Sequence, residues 1–125
     1  QIHLQKSSVI FCSARKSSAT GEKAFGAFNR IVCIVESDLP ALDLLALLHG
    51  IEKTLGRERN EKWGPRTIDL DLIQYGSLLS SADELKLPHP RAHERRFVLE
   101  PWISIDPEAI LLTHGKISEL LVQLP

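Results

Sequence analysis

Hydrophobic and polar positions alternate most clearly in WGPRTIDLDLIQYG, Trp63 to Gly76. Ile68, Leu70 and Leu72 interleave with Asp69, Asp71 and Ile73, the period-two pattern of a half-buried β-strand. The two aspartates stand at i and i+2, so both carboxylates point to one face. Aspartate is a poor strand former, so two like charges side by side need a reason. Upstream, Val9 to Ala14 reads as a short strand. Phe28 to Glu36, FNRIVCIVE, is β-branched through its centre and predicts a second one. Ser37 and Asp38 offer a helix cap and Pro40 a first-turn residue. Leu44, Leu48, Ile51 and Leu55 then recur at helical spacing, and Gly56 is expected to end the helix.

Between the first two strands, Arg15 to Ala27 (RKSSATGEKAFGA) is polar and holds Gly21 and Gly26. It predicts a loop of the length used for lids and binding loops. Leu87 to Phe97 (LPHPRAHERRF) reads as an ordered loop, Val98 to Ile103 as a further short element, and Ile117 to Leu124 as a terminal amphipathic helix. The order β–loop–β–α–loop–β–loop–α describes one α+β domain over residues 1–125, with a mainly antiparallel sheet.

Composition excludes several classes. Net charge is −1, so no global basic field exists for nucleic acid. No apolar run is long enough to span a membrane. Cys12 and Cys33 each sit in an apolar stretch and are expected as two buried thiols in a reduced compartment. Zinc has no CxxC to use, and Pro90 interrupts the His89–His93 spacing that a helical zinc pair needs. The chain has no methionine and begins QIHLQK, which points to a processed N-terminus or a fragment.

The chemistry gathers around the Asp strand. Two carboxylates on one face repel unless a cation sits between them. That cation can be a set of surface lysines, or magnesium, which one or two carboxylates hold together with substrate phosphates. Six of the eight arginines (Arg57, Arg59, Arg66, Arg91, Arg95 and Arg96) lie in the two loops flanking this strand. The planar guanidinium suits phosphate and keeps its charge when partly desolvated. Neither GxxxxGK[ST] nor GxGxxG occurs, which excludes a conventional P-loop enzyme or protein kinase. His89, between two prolines, can donate to a phosphate, or it can bond local backbone. Trp63 can stack on a planar ligand or pack under its loop, and the amide of Asn29 can read a heterocycle edge.

These residues resemble a known family. GRERNEKWGPRTIDLDLIQYG, followed by LPHPRAHERRFVLEPWISIDPEA, is similar to the 6-hydroxymethyl-7,8-dihydropterin pyrophosphokinases of folate biosynthesis. The signature W-G-P-R-T-[LI]-D-L-D-[LI] falls on Trp63 to Leu72, and P-H-x-x-x-x-x-R-x-F on Pro88 to Phe97. The resemblance implies a ferredoxin-like antiparallel sheet with flanking helices. It also implies transfer of pyrophosphate from ATP to the pterin hydroxymethyl group with release of AMP. Asp69 and Asp71 then look like the ligands of two Mg²⁺ ions. Arg57 and Arg66 look catalytic beside them. His49, Glu52, Arg59, Trp63, His89 and Arg95 look like ATP-binding residues, and Asn29 and Phe97 like pterin-site residues. A cytoplasmic monomer with no nucleic-acid or membrane partner is expected. The alternative is an inactive pterin- or nucleotide-binding remnant of the family.

Two departures stand out. The first loop lacks the family's Y-x-T-x-P pattern. Complete members begin with a strand carrying G-S-N and a following helix, to which nothing here corresponds, so the chain is expected to lack that N-terminal part. The Asp strand is then expected to lose its neighbour in the sheet.

Overall fold

The computed structural model describes residues 6–16, 27–58 and 66–125. β1 (Lys6–Lys16) pairs antiparallel with β2 (Ala27–Ser37), and α1 (Ala41–Glu58) follows. β3 (Arg66–Tyr75) returns to pair antiparallel with the other edge of β1, giving the sheet order β2-β1-β3. A small hairpin of β4 (Ser80–Ala82) and β5 (Leu85–Leu87) comes next, then a 3-10 turn (Ala92–Glu94) and α2 (Arg96–Ile105). A second hairpin, β6 (Ile110–Leu111) and β7 (Gly115–Lys116), leads into α3 (Ile117–Gln123).

Both sheet faces are covered, which is why β1 reads as an almost unbroken apolar run, VIFC. Ile10 turns to α1, joining Leu44, Leu48, Leu72 and Tyr75 in one buried cluster. Its neighbours Val9 and Phe11 turn the other way, onto Val32, Ile73, Leu99 and Trp102 in a second cluster closed by Ile117. The sheet is thus sandwiched between α1 on one side and α2 with α3 on the other.

A register shift between Val9 and Ile10 interrupts the pairing with β3: Ile10 faces Leu72, whereas Val9 faces Gln74. The extra residue, Ile73, is a bulge. It turns Ile73 and Gln74 to the same side, that of α2. Gln74 is buried there and satisfied at both ends: its Nε2 donates to the Ile110 carbonyl at 3.1 Å, and its Oε1 accepts from Leu112 N–H at 2.8 Å. This amide helps tie β6 to the sheet.

Four expectations need correction. The Asp strand does have a sheet neighbour: β1 pairs with it from Lys16–Arg66 to Ser8–Tyr75. Its outer edge is free of strands among the described residues, yet some of its backbone groups are met. Leu70 N–H donates to Glu52 Oε2 at 2.6 Å, and the Ile73 carbonyl accepts from His89 N–H at 2.8 Å. The helix does not stop at Gly56 but continues to Glu58; one helical glycine costs only about 1 kcal/mol. The thiols are not both buried: Cys12 is half-buried and Cys33 exposed, both free. β2 is an edge strand and α1 lies against β3, so Cys33 is left uncovered. The ordered loop is shorter than expected, since α2 already begins at Arg96.

Candidate active site on the outer strand

The bulge divides β3 into a core end and a chemical end. Asp69, Asp71 and Ile73 share one face by their spacing. Ile73 is buried in the α2-side cluster, Asp71 is half-buried and Asp69 is exposed. The carboxylates therefore lie where the core face runs out to solvent. Asp71 stands opposite Phe11, and Asp69 opposite Ser13. Phe11 in turn meets Phe97 of the first turn of α2, ring centroids 5.6 Å apart and tilted by 48°. Phe97 keeps 38% of its surface accessible beside the aspartates. Two guanidiniums stand near its ring, Arg30 at 4.6 Å and Arg95 at 5.7 Å from the centroid.

The segment before α2 supplies the remaining groups. His89 is anchored by its own N–H to β3 and accepts the Arg91 N–H on Nδ1 at 3.2 Å. With Nδ1 used as acceptor, the neutral ring carries its proton on Nε2, which can donate outward. Burial pushes the His89 pKa below the usual value; Asp71 opposes this, and Arg95 and Arg91 add to it. The ring is therefore neutral near pH 7. A groove of about 250 Å³ runs along the outer edge of β3, where α1 contributes His49 and the β4–β5 hairpin Leu85, facing Asp71 and His89.

The neighbouring arginines have other partners. Arg91 pairs with Glu94 at 3.2 Å. Arg96 pairs with Glu100 at 2.9 Å and donates to the carbonyls of Leu121 and Leu124, holding the end of α3. Of the three arginines in this segment, Arg95 is the one that stands over the Phe97 ring.

The sequence model of the 7,8-dihydro-6-hydroxymethylpterin-pyrophosphokinase family matches residues 2–107. The chain belongs to this family. A Pseudomonas aeruginosa protein named 2-amino-4-hydroxy-6-hydroxymethyldihydropteridine pyrophosphokinase is 39% identical over 94 residues, 75% of this chain and 58% of the relative. One of the same name from Haemophilus influenzae is 35% identical over 115 residues, 92% of this chain and 72% of the relative. A third, from Synechocystis, is 46% identical over 83 residues, 66% of this chain and 43% of the relative. The chain thus spans little more than half of the Pseudomonas relative.

Of the positions that the pyrophosphokinase resemblance singled out, the structure brings Asp69, Asp71, His89, Arg95 and Phe97 together. His49 joins them across the edge groove. Glu52 lies on α1 and gives its carboxylate to the strand edge at Leu70. Asn29 stands opposite Ala14, so it faces the α1 side, away from Phe97. Arg59 and Trp63 lie outside the described residues, as do the side chains of Arg57 and Arg66 and most of the expected lid at 15–27. The sequence reading missed Arg30 and Phe11 as neighbours of Phe97. Arg30 is the one charged residue within FNRIVCIV, and that was the available signal.

Proposed function

We propose that this domain serves Mg²⁺-dependent transfer of pyrophosphate from ATP to the hydroxymethyl group of 6-hydroxymethyl-7,8-dihydropterin. The observation that carries the reading is the meeting of β3 with the segment that leads into α2: two carboxylates on the strand, and His89, Arg95 and the exposed Phe97 ring on that segment. The ring stacks the flat pterin, and the polar groups meet the triphosphate. A remnant that only binds pterin or nucleotide would not need both carboxylates on the open end of the face.

Magnesium fits the donor set. Asp69 and Asp71 offer hard oxygens on one face, and neither is ion-paired to a lysine or arginine among the described residues. No group of three or more His, Cys, Asp or Glu side chains gathers there among the described residues. The rest of the coordination then belongs to phosphate oxygens and water, as is usual for this ion. When bound, magnesium neutralises phosphate charge and aligns the oxygens that enter and leave. Two ions are expected.

The chain's own residues do the positioning. Phe97 holds the pterin so that its hydroxymethyl oxygen faces the β-phosphorus of ATP. A bond forms between that oxygen and the β-phosphorus, the bond from the β-phosphorus to the α-phosphate oxygen breaks, and AMP leaves with that oxygen. The hydroxyl proton goes to solvent. Nε2–H of His89 and the Arg95 guanidinium donate to phosphate oxygens, stabilising charge as it shifts toward AMP. Arg57 and Arg66 are assigned the same task on the transferred group, and ATP contacts are assigned to His49, Arg59 and Trp63, whereas Asn29, on the other face of the sheet, does not meet a pterin stacked on Phe97. Glu52 keeps its ATP assignment only if its bond to Leu70 opens on nucleotide binding.

ATP labelled in the β-phosphate tests the reaction. The expected result is label on the pterin and unlabelled AMP, dependent on Mg²⁺. Labelled ADP would mean simple phosphoryl transfer, and no turnover would favour the binding remnant.

A further inference from the structure

We propose that Arg30 is a place-holder on Phe97, covering the ring until a planar substrate displaces it, and so sets the threshold for pterin binding. This rests on the reading of Phe97 as the pterin-stacking ring.

The Arg30 guanidinium carbon stands over the Phe97 ring, 4.6 Å from its centroid. Stacked carbon atoms meet at about 3.5–4 Å, so a heterocycle laid on that ring face needs the layer the guanidinium occupies. The two cannot share it. The position is not accidental to the fold. Arg30 stands opposite Ser13 on β1, and Ser13 stands opposite Asp69 on β3. Arg30, Ser13 and Asp69 therefore form one row across three strands on the face that carries Phe11 and Phe97. Phe11 fixes the phenyl ring from the sheet side. Arg30 is itself exposed, so it can swing out without disturbing the core.

The consequence is competition. A planar ligand on the Phe97 face that Arg30 covers must first break a cation–π contact, one worth about a two- to fivefold change in binding at an exposed site. Removing the guanidinium should help the pterin and leave the nucleotide alone. Lysine keeps the charge but loses the flat fork, so its effect should fall between.

The test is equilibrium titration of the protein with 6-hydroxymethylpterin, followed by pterin fluorescence, and with ATP in parallel. Arg30→Ala is expected to tighten pterin binding about two- to fivefold, with a lower pterin KM and unchanged ATP affinity. Arg30→Lys should lie between the parent and Arg30→Ala. Phe97→Ala should lose most pterin binding, and Arg30→Ala should add nothing in that background. If Phe97→Ala loses pterin but Arg30→Ala leaves binding unchanged or weaker, the place-holder role is overturned and the pterin site stands. If Phe97→Ala binds pterin like the parent, the stacking role of Phe97 fails, and the role of Arg30 with it.

Discussion

Glu52 offers a sharp division between a fold-holding and a ligand-holding carboxylate. Its Oε2 accepts the Leu70 N–H at 2.6 Å on the outer edge of β3, which carries no strand among the described residues, in a half-buried setting. A hydrogen bond to a charged acceptor contributes about 1.5–3 kcal/mol when its loss leaves the partner unmet. Water reaches this edge and replaces part of the bond, so Glu52→Ala should cost about 1–2 kcal/mol. With a urea m-value of about 1.5 kcal/mol/M, the midpoint should fall by roughly 1 M. Glu52→Gln keeps an acceptor oxygen without the charge and should lose about half as much. Urea unfolding followed by tryptophan fluorescence reads both. ATP titration of the same variants is the second arm, since the family resemblance gives Glu52 to the nucleotide. An unmoved midpoint in Glu52→Ala, together with weakened ATP binding, would show that the edge bond contributes nothing and that the carboxylate serves ATP.

Thiol labelling should be ordered: exposed Cys33 reacts first, while Cys12 lags because burial, then the nearby Cys33 and Asp69, push its pKa up. Mass spectrometry of a timed iodoacetamide reaction at neutral pH checks this, and simultaneous labelling would contradict it. His114 stacks on His93 with ring centroids 4.1 Å apart, and partial burial, then the charge of His93, hold its pKa below 6.5. A lowered pKa means the fold favours the neutral ring, so the stability it adds is present above pH 6.5 and lost as pH falls through the folded value. The drop in melting temperature from pH 7.5 to pH 5.5, buffer values set at about one unit to either side, should therefore shrink in His114→Gln; an equal drop would refute it. Arg66→Ala should lower kcat on the order of 10²-fold or more, and Arg66→Lys should not restore it fully. A rise in KM alone would mean uniform binding instead.

The Asp strand was legible because its alternation is strict up to Leu72 and its two aspartates violate strand propensity on one face. The sequence could not reveal that the same face becomes core at Ile73. That depends on a bulge, and a bulge is decided by pairing with β1 rather than by local pattern. The two cysteines misled for a related reason. FNRIVCIVE is apolar on both faces, but β2 lies at the edge, and only topology says which strand α1 covers. Leu87 to Phe97 carries His89 and Arg95 ahead of α2, which takes over at Arg96. Its arginines look alike in sequence, yet partners on Glu94, Glu100 and α3 separate Arg91 and Arg96 from Arg95. Asn29 and Phe97 come to opposite faces because Asn29 pairs with Ala14 and Arg30 with Ser13; a one-residue difference in register decides which of the two meets the ring.

The paired aspartates can be tested most directly by AMP formation from ATP and 6-hydroxymethyl-7,8-dihydropterin over a Mg²⁺ titration, comparing the parent protein with Asp69→Asn and Asp71→Asn. Each variant keeps size and shape but removes a negative charge that magnesium needs. Both should lose AMP formation on the order of 10²-fold or more at low Mg²⁺, with melting temperatures close to the parent's. Near-normal rates in both variants at the same Mg²⁺ would contradict the assignment of the β3 carboxylates to the metal.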